Sequence, residues 1–302
     1  MKRLIKNKLL SNNFILPFKS GYRFIFIFHD ISNPDSHHYS PLYSTTVAHF
    51  EEQISFLRNN FELIDLDKIT QEEPFKNNVA SIMFDDGFKS VETIAFPYLQ
   101  KQNIPFSVFL NKNAIKNNRL WLSDLTLNKE RFIENYHLKH LAYSDVNYKH
   151  LINDAAFHNH VPNLNLTSDA SQNQIYLNES DILKLSKAGV IMGNHGSFHI
   201  NLGLATINNL EEEIVSNKKF IENIIQTPLK HYAFAFGKKE HYTKQVIEAI
   251  KNSGHEFLYT SNPSGFAANF NKQLIPRIGL INQSPEQIMF YINRQFVKKI
   301  NI

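Results

Sequence analysis

Short apolar runs alternate along the chain with amphipathic stretches, and the two periodicities mark where strands and helices fall. Phe24 to Phe28 is an unbroken apolar run ending in His29-Asp30, which predicts a first inner strand. Phe50, Ile54 and Leu57 recur at helical spacing within 50–59, and 61–66 then reads as a strand. Val79 to Phe84, with Ser81 its one polar residue, predicts a buried strand that ends in Asp85 and Asp86. Residues 89–102 read as a helix kinked at Pro97, and 104–110 as another strand.

The rhythm returns in the last third. Residues 181–188 predict a helix capped by Asn178 or Ser180, and 189–193 a strand that runs into His195. Residues 210–225 predict a strong helix opened by Glu211, Glu212 and Glu213, whose charges suit the helix dipole. Then come a strand over 231–236 closed by Gly237, a helix over 244–251 ending at Gly254, and a strand over 257–260. Repeated βα units imply a parallel sheet, either a barrel or an open doubly wound sheet. Ligand sites in such folds lie at the C-terminal strand ends. His29, Asp85, Asp86, His195, His199 and Gly237 all fall there.

Residues 112–178 break the pattern. They are polar, with Trp121 near their start and His137, His140, His150, His158 and His160 further on. They read as an insertion over the site, with these histidines in solvent: the spacings match no structural zinc pattern, and the chain has no cysteine to complete one. Without cysteine, disulfides and thiolate sites are excluded as well.

A share of 42% hydrophobic and 20% charged residues is that of a soluble globular protein. The net charge of +4 is unevenly spread: Lys2, Arg3, Lys6, Lys8, Lys19 and Arg23 all precede the first acid, Asp30. This basic segment, 1–20, suits a solvated start or contact with an anionic membrane surface. Asn12 and Asn13 interrupt what would be the core of a secretory signal, and no stretch reaches the about 20 apolar residues that span a bilayer. The expected location is cytoplasmic, peripheral at the inner face of the membrane. With 28 acids offsetting 32 bases, nucleic acid is not an expected partner. No Gly-rich phosphate loop and no Gly-x-Ser-x-Gly elbow is present, so kinase and serine-hydrolase readings lack support.

The candidate chemistry lies in two short pieces, Phe84-Asp85-Asp86-Gly87 and His195-Gly196-Ser197-Phe198-His199. Either alone is weak: acids and glycine after a strand are ordinary turn chemistry, and two histidines four apart are common. Their joint placement after parallel strands points to one carboxylate and two imidazoles around a divalent metal, with the other carboxylate free to act as a base. On an extended backbone adjacent carboxylates point in opposite directions, one to the metal and its neighbour elsewhere in the pocket. Gly87 lets the chain turn away.

Ile82 to Gly87 resembles the first motif of the polysaccharide deacetylases, the NodB-homology group of carbohydrate esterase family 4. His195 to His199 resembles their second, His-(Ser/Thr)-x-x-His, with Gly196 in place of Ser or Thr. The similarity takes in Phe28-His29-Asp30, Phe96 to Leu99, Ile104 to Leu110, Asn201-Leu202, Phe234 to Gly237 and Ile275-Pro276-Arg277. In layout it is most similar to the branch that deacetylates poly-N-acetylglucosamine. The resemblance implies an α/β fold, a distorted (β/α)7 barrel with the insertion over the C-terminal face of the strands, formed by a single domain over 21–302. It implies metal binding by Asp86, His195 and His199, with Asp85 as general base toward a water and His29 as general acid toward the departing amine. Many relatives have Pro where Ala235 stands, and the arginine usual in that motif is missing from Tyr232 to Gly237. The backbone near Phe236 is a candidate oxyanion donor, Arg277 a candidate to orient Asp85, and Trp121 a candidate wall for the acyl group.

These observations lead to a metal-dependent hydrolase that removes an N-acetyl group from an amino sugar in surface-polysaccharide or glycolipid assembly, with a lipid-linked sugar as a fitting substrate. Zinc is the first choice of metal, and cobalt, nickel and iron suit the same ligands. The alternatives are a non-catalytic carbohydrate-binding barrel and a hydrolase of a small cyclic amide or imide.

Overall fold

The computed structural model describes residues 21–164 and 173–299. The basic segment 1–20 therefore lies outside the described residues. Ten strands run through the rest: β1 (Arg23–Phe28), β2 (Asp30–Ile31), β3 (Ser44–Thr45), β4 (Glu62–Leu63), β5 (Val79–Phe84), β6 (Phe106–Leu110), β7 (Ile191–Asn194), β8 (His231–Ala233), β9 (Phe257–Tyr259) and β10 (Ile278–Gly279). All pairings in the main sheet are parallel, in the order β10-β1-β5-β6-β7-β8-β9, with β4 set against β5. A parallel bridge between Tyr259 and Ile275 draws the two edges of this sheet together. The result is the distorted seven-stranded barrel expected of the polysaccharide deacetylase resemblance.

Successive side chains of β1 divide the core between two layers. Phe24, Phe26 and Phe28 join the helix-facing cluster, while Ile25 packs with Met83, Phe109, Ala233 and Tyr259. Every residue of β1 and β5 is buried, which is why both read as continuous apolar runs. Each such Ile or Phe contributes about 1.5–3 kcal/mol by leaving water. Phe28 stacks on Phe84 at 5.6 Å between ring centroids, and Phe50 of the helix Val47–Asn60 meets Phe28 edge-on at 5.3 Å. These rings pack on the helix-facing side of β1 and β5, one residue before His29 and Asp85.

Some local expectations give way to tertiary contacts. The 50–59 helix starts earlier, at Val47, because the Thr46 side chain accepts from His49 N as an N-cap. Only Glu62–Leu63 of the 61–66 stretch is strand, since Asp65 caps a short helix, Leu66–Ile69. In 89–102, Val91–Ala95 is a π-turn and Pro97 sits in the first turn of the following helix, where its missing N–H costs little. Asn178 is the cap of the helix Glu179–Lys187, in a capping box with Asp181. The predicted 210–225 helix begins at Ile207, so Glu211–Glu213 fall inside it rather than at its dipole end, and Glu212–Ser216 forms a π-turn. The strand expected to reach Phe236 stops at Ala233, and Phe236 and Gly237 turn the chain with φ of 62° and 61°.

Arg23 is not part of a basic surface patch. It is fully buried, donates to the carbonyls of Ile69, Gln71 and Glu73, and lies over the rings of Phe75 and Phe270. Among the described residues no helix is long and apolar enough to cross a membrane.

Candidate metal centre and active site

The carboxylate turn grows out of β5. Asp85 N donates to Phe28 O at 2.9 Å, prolonging the ladder, and the chain then reverses through Asp86 at φ 68° and Gly87 at φ 73°. The left-handed region disfavours most side chains but admits Asp. Gly87 is required twice over, because a Cβ there would also lie 2.8 Å from Leu110 Cδ2. The extended geometry expected for Asp85-Asp86 is thus replaced by a turn, and the two carboxylates converge instead of diverging. Asp86 Oδ1 lies 3.5 Å and Asp85 Oδ2 3.7 Å from the same atom, His195 Nε2.

The imidazoles follow β7. His195 Nδ1 donates to Ala233 O at 2.8 Å, an assignment made from the acceptor, which leaves the Nε2 lone pair facing the carboxylates. His199 Nε2 stands 3.5 Å from Asp86 Oδ1, with the Phe236 ring edge-on at 4.6 Å between centroids. One donor atom from each of Asp86, His195 and His199 lies within 4.8 Å of the others, and all three residues are buried. Burial holds His195 at about 4 and His199 at about 3, so both rings are neutral at pH 7. Burial pushes Asp86 up, and its Oδ1 has no hydrogen-bond donor. Two neutral nitrogens and one orphaned carboxylate oxygen are a donor set that fits a divalent cation of the zinc, cobalt, nickel or iron type.

Asp85 is held differently. Burial alone would raise its carboxyl, but the Arg277 guanidinium, with help from His195 and His29, outweighs that and brings it to about 2. Arg277 is completely buried; its Nη1 donates to Asp85 Oδ1 at 2.8 Å and its Nε to Thr260 O at 3.2 Å. Phe26 pairs with both Ile278 and Ile82, which sets the Arg277 backbone level with the middle of β5, and the long arginine side chain covers the remaining distance to Asp85. His29, half-buried at the end of β1, faces the same cavity. Asp30 anchors the chain just beyond it: its buried carboxylate accepts from Ser44 Oγ at 2.8 Å, Ser90 Oγ at 2.7 Å and Ser32 Oγ.

The cavity that joins these groups measures about 270 Å³; its apolar wall is made by Leu42, Tyr43, Leu122, Tyr148, Phe234 and Phe236. Trp121 is not in that wall. It is 1% exposed, and its Nε1 donates to His199 O at 2.8 Å, so it supports the histidine loop from behind. Its neighbour Leu122 faces the cavity instead. No sequence signal singled out Leu42 and Tyr43, which come from a turn, or Tyr148, which opens the short helix Tyr148–Leu151; all three are remote from either motif.

The expectation that the five histidines of 112–178 lie in solvent fails for His158. It is 0% exposed, with Nε2 on Ile152 O at 3.1 Å and Nδ1 accepting from Asn201 N at 3.3 Å. Packed between Trp121 and Phe236, it belongs to the layer under the site, and burial lowers it to about 4. His137, His140 and His150 are exposed and His160 is half-buried. A larger cleft, about 470 Å³, opens near the starts of β6 and β7 between Leu63, Phe96 and Val190, but no cluster of titratable groups lines it.

The sequence profile of the polysaccharide deacetylase family matches residues 72–258. No curated protein matches the sequence. Among solved structures the fold is similar to that of the Streptococcus pyogenes deacetylase PplD in complex with acetate, at 12% identity and a TM-score of 0.62, over 90% of this chain and 99% of that one. It is similar to BC0361, a polysaccharide deacetylase from Bacillus cereus, at 17% identity and a TM-score of 0.60, over 90% and 69%. IcaB from Ammonifex degensii is similar at 14% identity and a TM-score of 0.60, over 90% and 97%. At these identities the likeness is one of fold.

Proposed function

The chain belongs to the polysaccharide deacetylase family, and from that premise we propose that it is a metal-dependent hydrolase removing an N-acetyl group from an amino sugar. The family implies an acetylated carbohydrate as substrate. The observation that carries the finer reading is the meeting of three functions in one cavity: the Asp86, His195, His199 donor set, an Asp85 held ionised by Arg277, and His29.

In this reading Asp86, His195 and His199 hold the cation. Bound there, a divalent metal lowers the pKa of a water to about 7 and polarises a carbonyl oxygen. Asp85 accepts the proton of the attacking water, and Arg277 keeps that carboxylate ionised and aimed. His29 delivers a proton to the amine nitrogen, which leaves poorly without one; an imidazole is suited to that transfer near neutral pH. The backbone N–H of Phe236 faces the developing oxyanion. Leu122, Tyr148, Phe234 and Phe236 enclose the acetyl methyl and keep water off the reacting centre. The basic residues Lys2, Arg3, Lys6, Lys8 and Lys19 favour a lipid-linked sugar presented at an anionic inner membrane face.

Elemental analysis of the wild-type protein and His199→Ala, after equilibration with zinc and desalting, tests this reading together with acetate release from N-acetylglucosamine oligomers and lipid-linked N-acetylamino sugars. The expected result is about one metal ion per wild-type chain, absent from the variant along with acetate release. A wild-type protein that retains no metal would overturn it and leave a carbohydrate-binding barrel.

A further inference from the structure

Behind the histidine loop lies a buried carboxyl that the proposed chemistry does not use. Glu213 is 1% exposed. It sits in the π-turn Glu212–Ser216, a local widening of the helix between Ile207 and Ile225, and is buried there together with Ile214. Its Oε1 accepts the Phe198 N–H at 2.7 Å. Its Oε2 occupies the space that a Cβ at position 196 would need. Gly196 has φ +84°, so a side chain there would be strained as well as overlapped. A Ser or Thr, usual at this place in the family motif, would have to displace the Glu213 carboxyl and adopt a strained backbone.

The rest of the loop is tied by uncharged groups. Asn111 Nδ2 donates to His195 O at 2.7 Å and Gly196 O at 2.9 Å, and Asn194 Oδ1 accepts from Gly196 N at 2.9 Å. Ser197 Oγ donates to Glu212 O at 2.6 Å. Phe198 is the last step before His199, and Glu213 holds its amide. Burial pushes the Glu213 carboxyl up to about 8, which makes this anchor neutral too at pH 7.

We propose that Glu213 and Gly196 form a positioning pair: the carboxyl fills the volume left by the missing side chain at 196 and, by holding Phe198 N–H, fixes the turn that brings both imidazoles onto Asp86. The inference rests on the reading of His195 and His199 as metal ligands, and Glu213 acts through them without touching substrate.

The test compares wild type, Glu213→Ala, Glu213→Gln and the core variant Ile54→Ala, which is remote from the loop. Hydrogen exchange over residues 195–200 is measured on metal-free protein, and zinc affinity by chelator competition. Glu213→Ala is expected to speed exchange at the Phe198 amide and weaken zinc 10- to 100-fold, the usual cost of losing an outer-shell partner. Glu213→Gln keeps an acceptor of the same size and should stay near wild type in both, as should Ile54→Ala at temperatures where it is folded. Unchanged exchange and affinity in Glu213→Ala would overturn the proposal. So would a Gln variant as weak as Ala, or an equal loss in Ile54→Ala. If Glu213→Ala fails to fold, Gly196→Ala takes its place, with weakened zinc binding expected from its overlap with Oε2 and wild-type affinity counting against the pair. A wild type that takes up no zinc would sink the metal reading alone, and the exchange comparison would still decide the positioning role.

Discussion

On the carboxylate side of the site the decisive contact is ionic, Arg277 Nη1 to Asp85 Oδ1 at 2.8 Å in a completely buried pair, whereas on the histidine side the anchors are Asn111, Asn194, Ser197, Trp121 and a Glu213 kept neutral by burial. On the proposed reading, the difference follows what each side must do. Asp85 has to stay ionised in a place where burial works against the charge, and the Arg277 cation is the main group that reverses it. His195 and His199 have to stay unprotonated to offer lone pairs, and a buried anion among their anchors would pull their pKa values back up. Charge is thus used where ionisation is needed, and neutral hydrogen bonds where neutrality is.

Three substitutions on the ionic side break this comparison or sharpen it. Asp85→Asn has the largest expected effect: acetate release falls toward the upper end of the about 10²–10⁴-fold range for a general base, while metal content, measured by elemental analysis, stays at the wild-type level. Loss of the metal as well would show that Asp85 is a ligand and not the free carboxylate.

Arg277→Met strands a buried carboxylate and should cost about 3–5 kcal/mol in denaturant unfolding at pH 7. The Asp85 carboxyl is depressed in the folded protein, so its stabilisation is present above the ordinary carboxylate value and is lost as pH falls from about 4 through about 2. The stability gap between wild type and Arg277→Met therefore narrows across that window. In the variant, burial is no longer opposed by the guanidinium, and the acid limb of the activity profile moves to higher pH. A gap independent of pH would mean that Arg277 acts through packing alone.

His29→Ala gives the smallest and most selective effect. Amide substrates slow by about 10²-fold, as expected for loss of a general acid, whereas an activated acetyl ester, whose leaving group needs no proton, is hydrolysed nearly as before. Equal losses on both substrates would remove His29 from that role.

Much of this architecture is legible in the chain. The buried strands β1 and β5 show as apolar runs because both of their faces pack, and the helices Val47–Asn60, Glu179–Lys187 and Lys244–Asn252 show their caps or their spacing. The acidic pair and the histidine pair stand out because each directly follows a strand, and a parallel sheet collects such ends on one face. Local rules alone do not decide other positions. Glu211–Glu213 look like a dipole-favoured first turn, yet the helix starts earlier and a π-turn takes Glu213 into the interior. His158 looks like a polar-loop histidine, yet Asn201 N and Ile152 O complete its bonding in the core.

The sequence by itself determined the order of strands and helices, the strand ends that carry Asp85, Asp86, His195 and His199, and hence the kind of chemistry available there. Local periodicity and residue chemistry suffice for that, because neither depends on distant partners. Only the tertiary structure decided that both carboxylates converge on one imidazole, since the left-handed turn at Asp86 is accommodated where Gly87 meets Leu110. It alone decided that Arg277, 192 residues away, keeps Asp85 ionised, and that Glu213 fits where Gly196 lacks a side chain. Those outcomes depend on register, burial and close packing between remote segments, quantities that the chain sets only when the whole barrel closes.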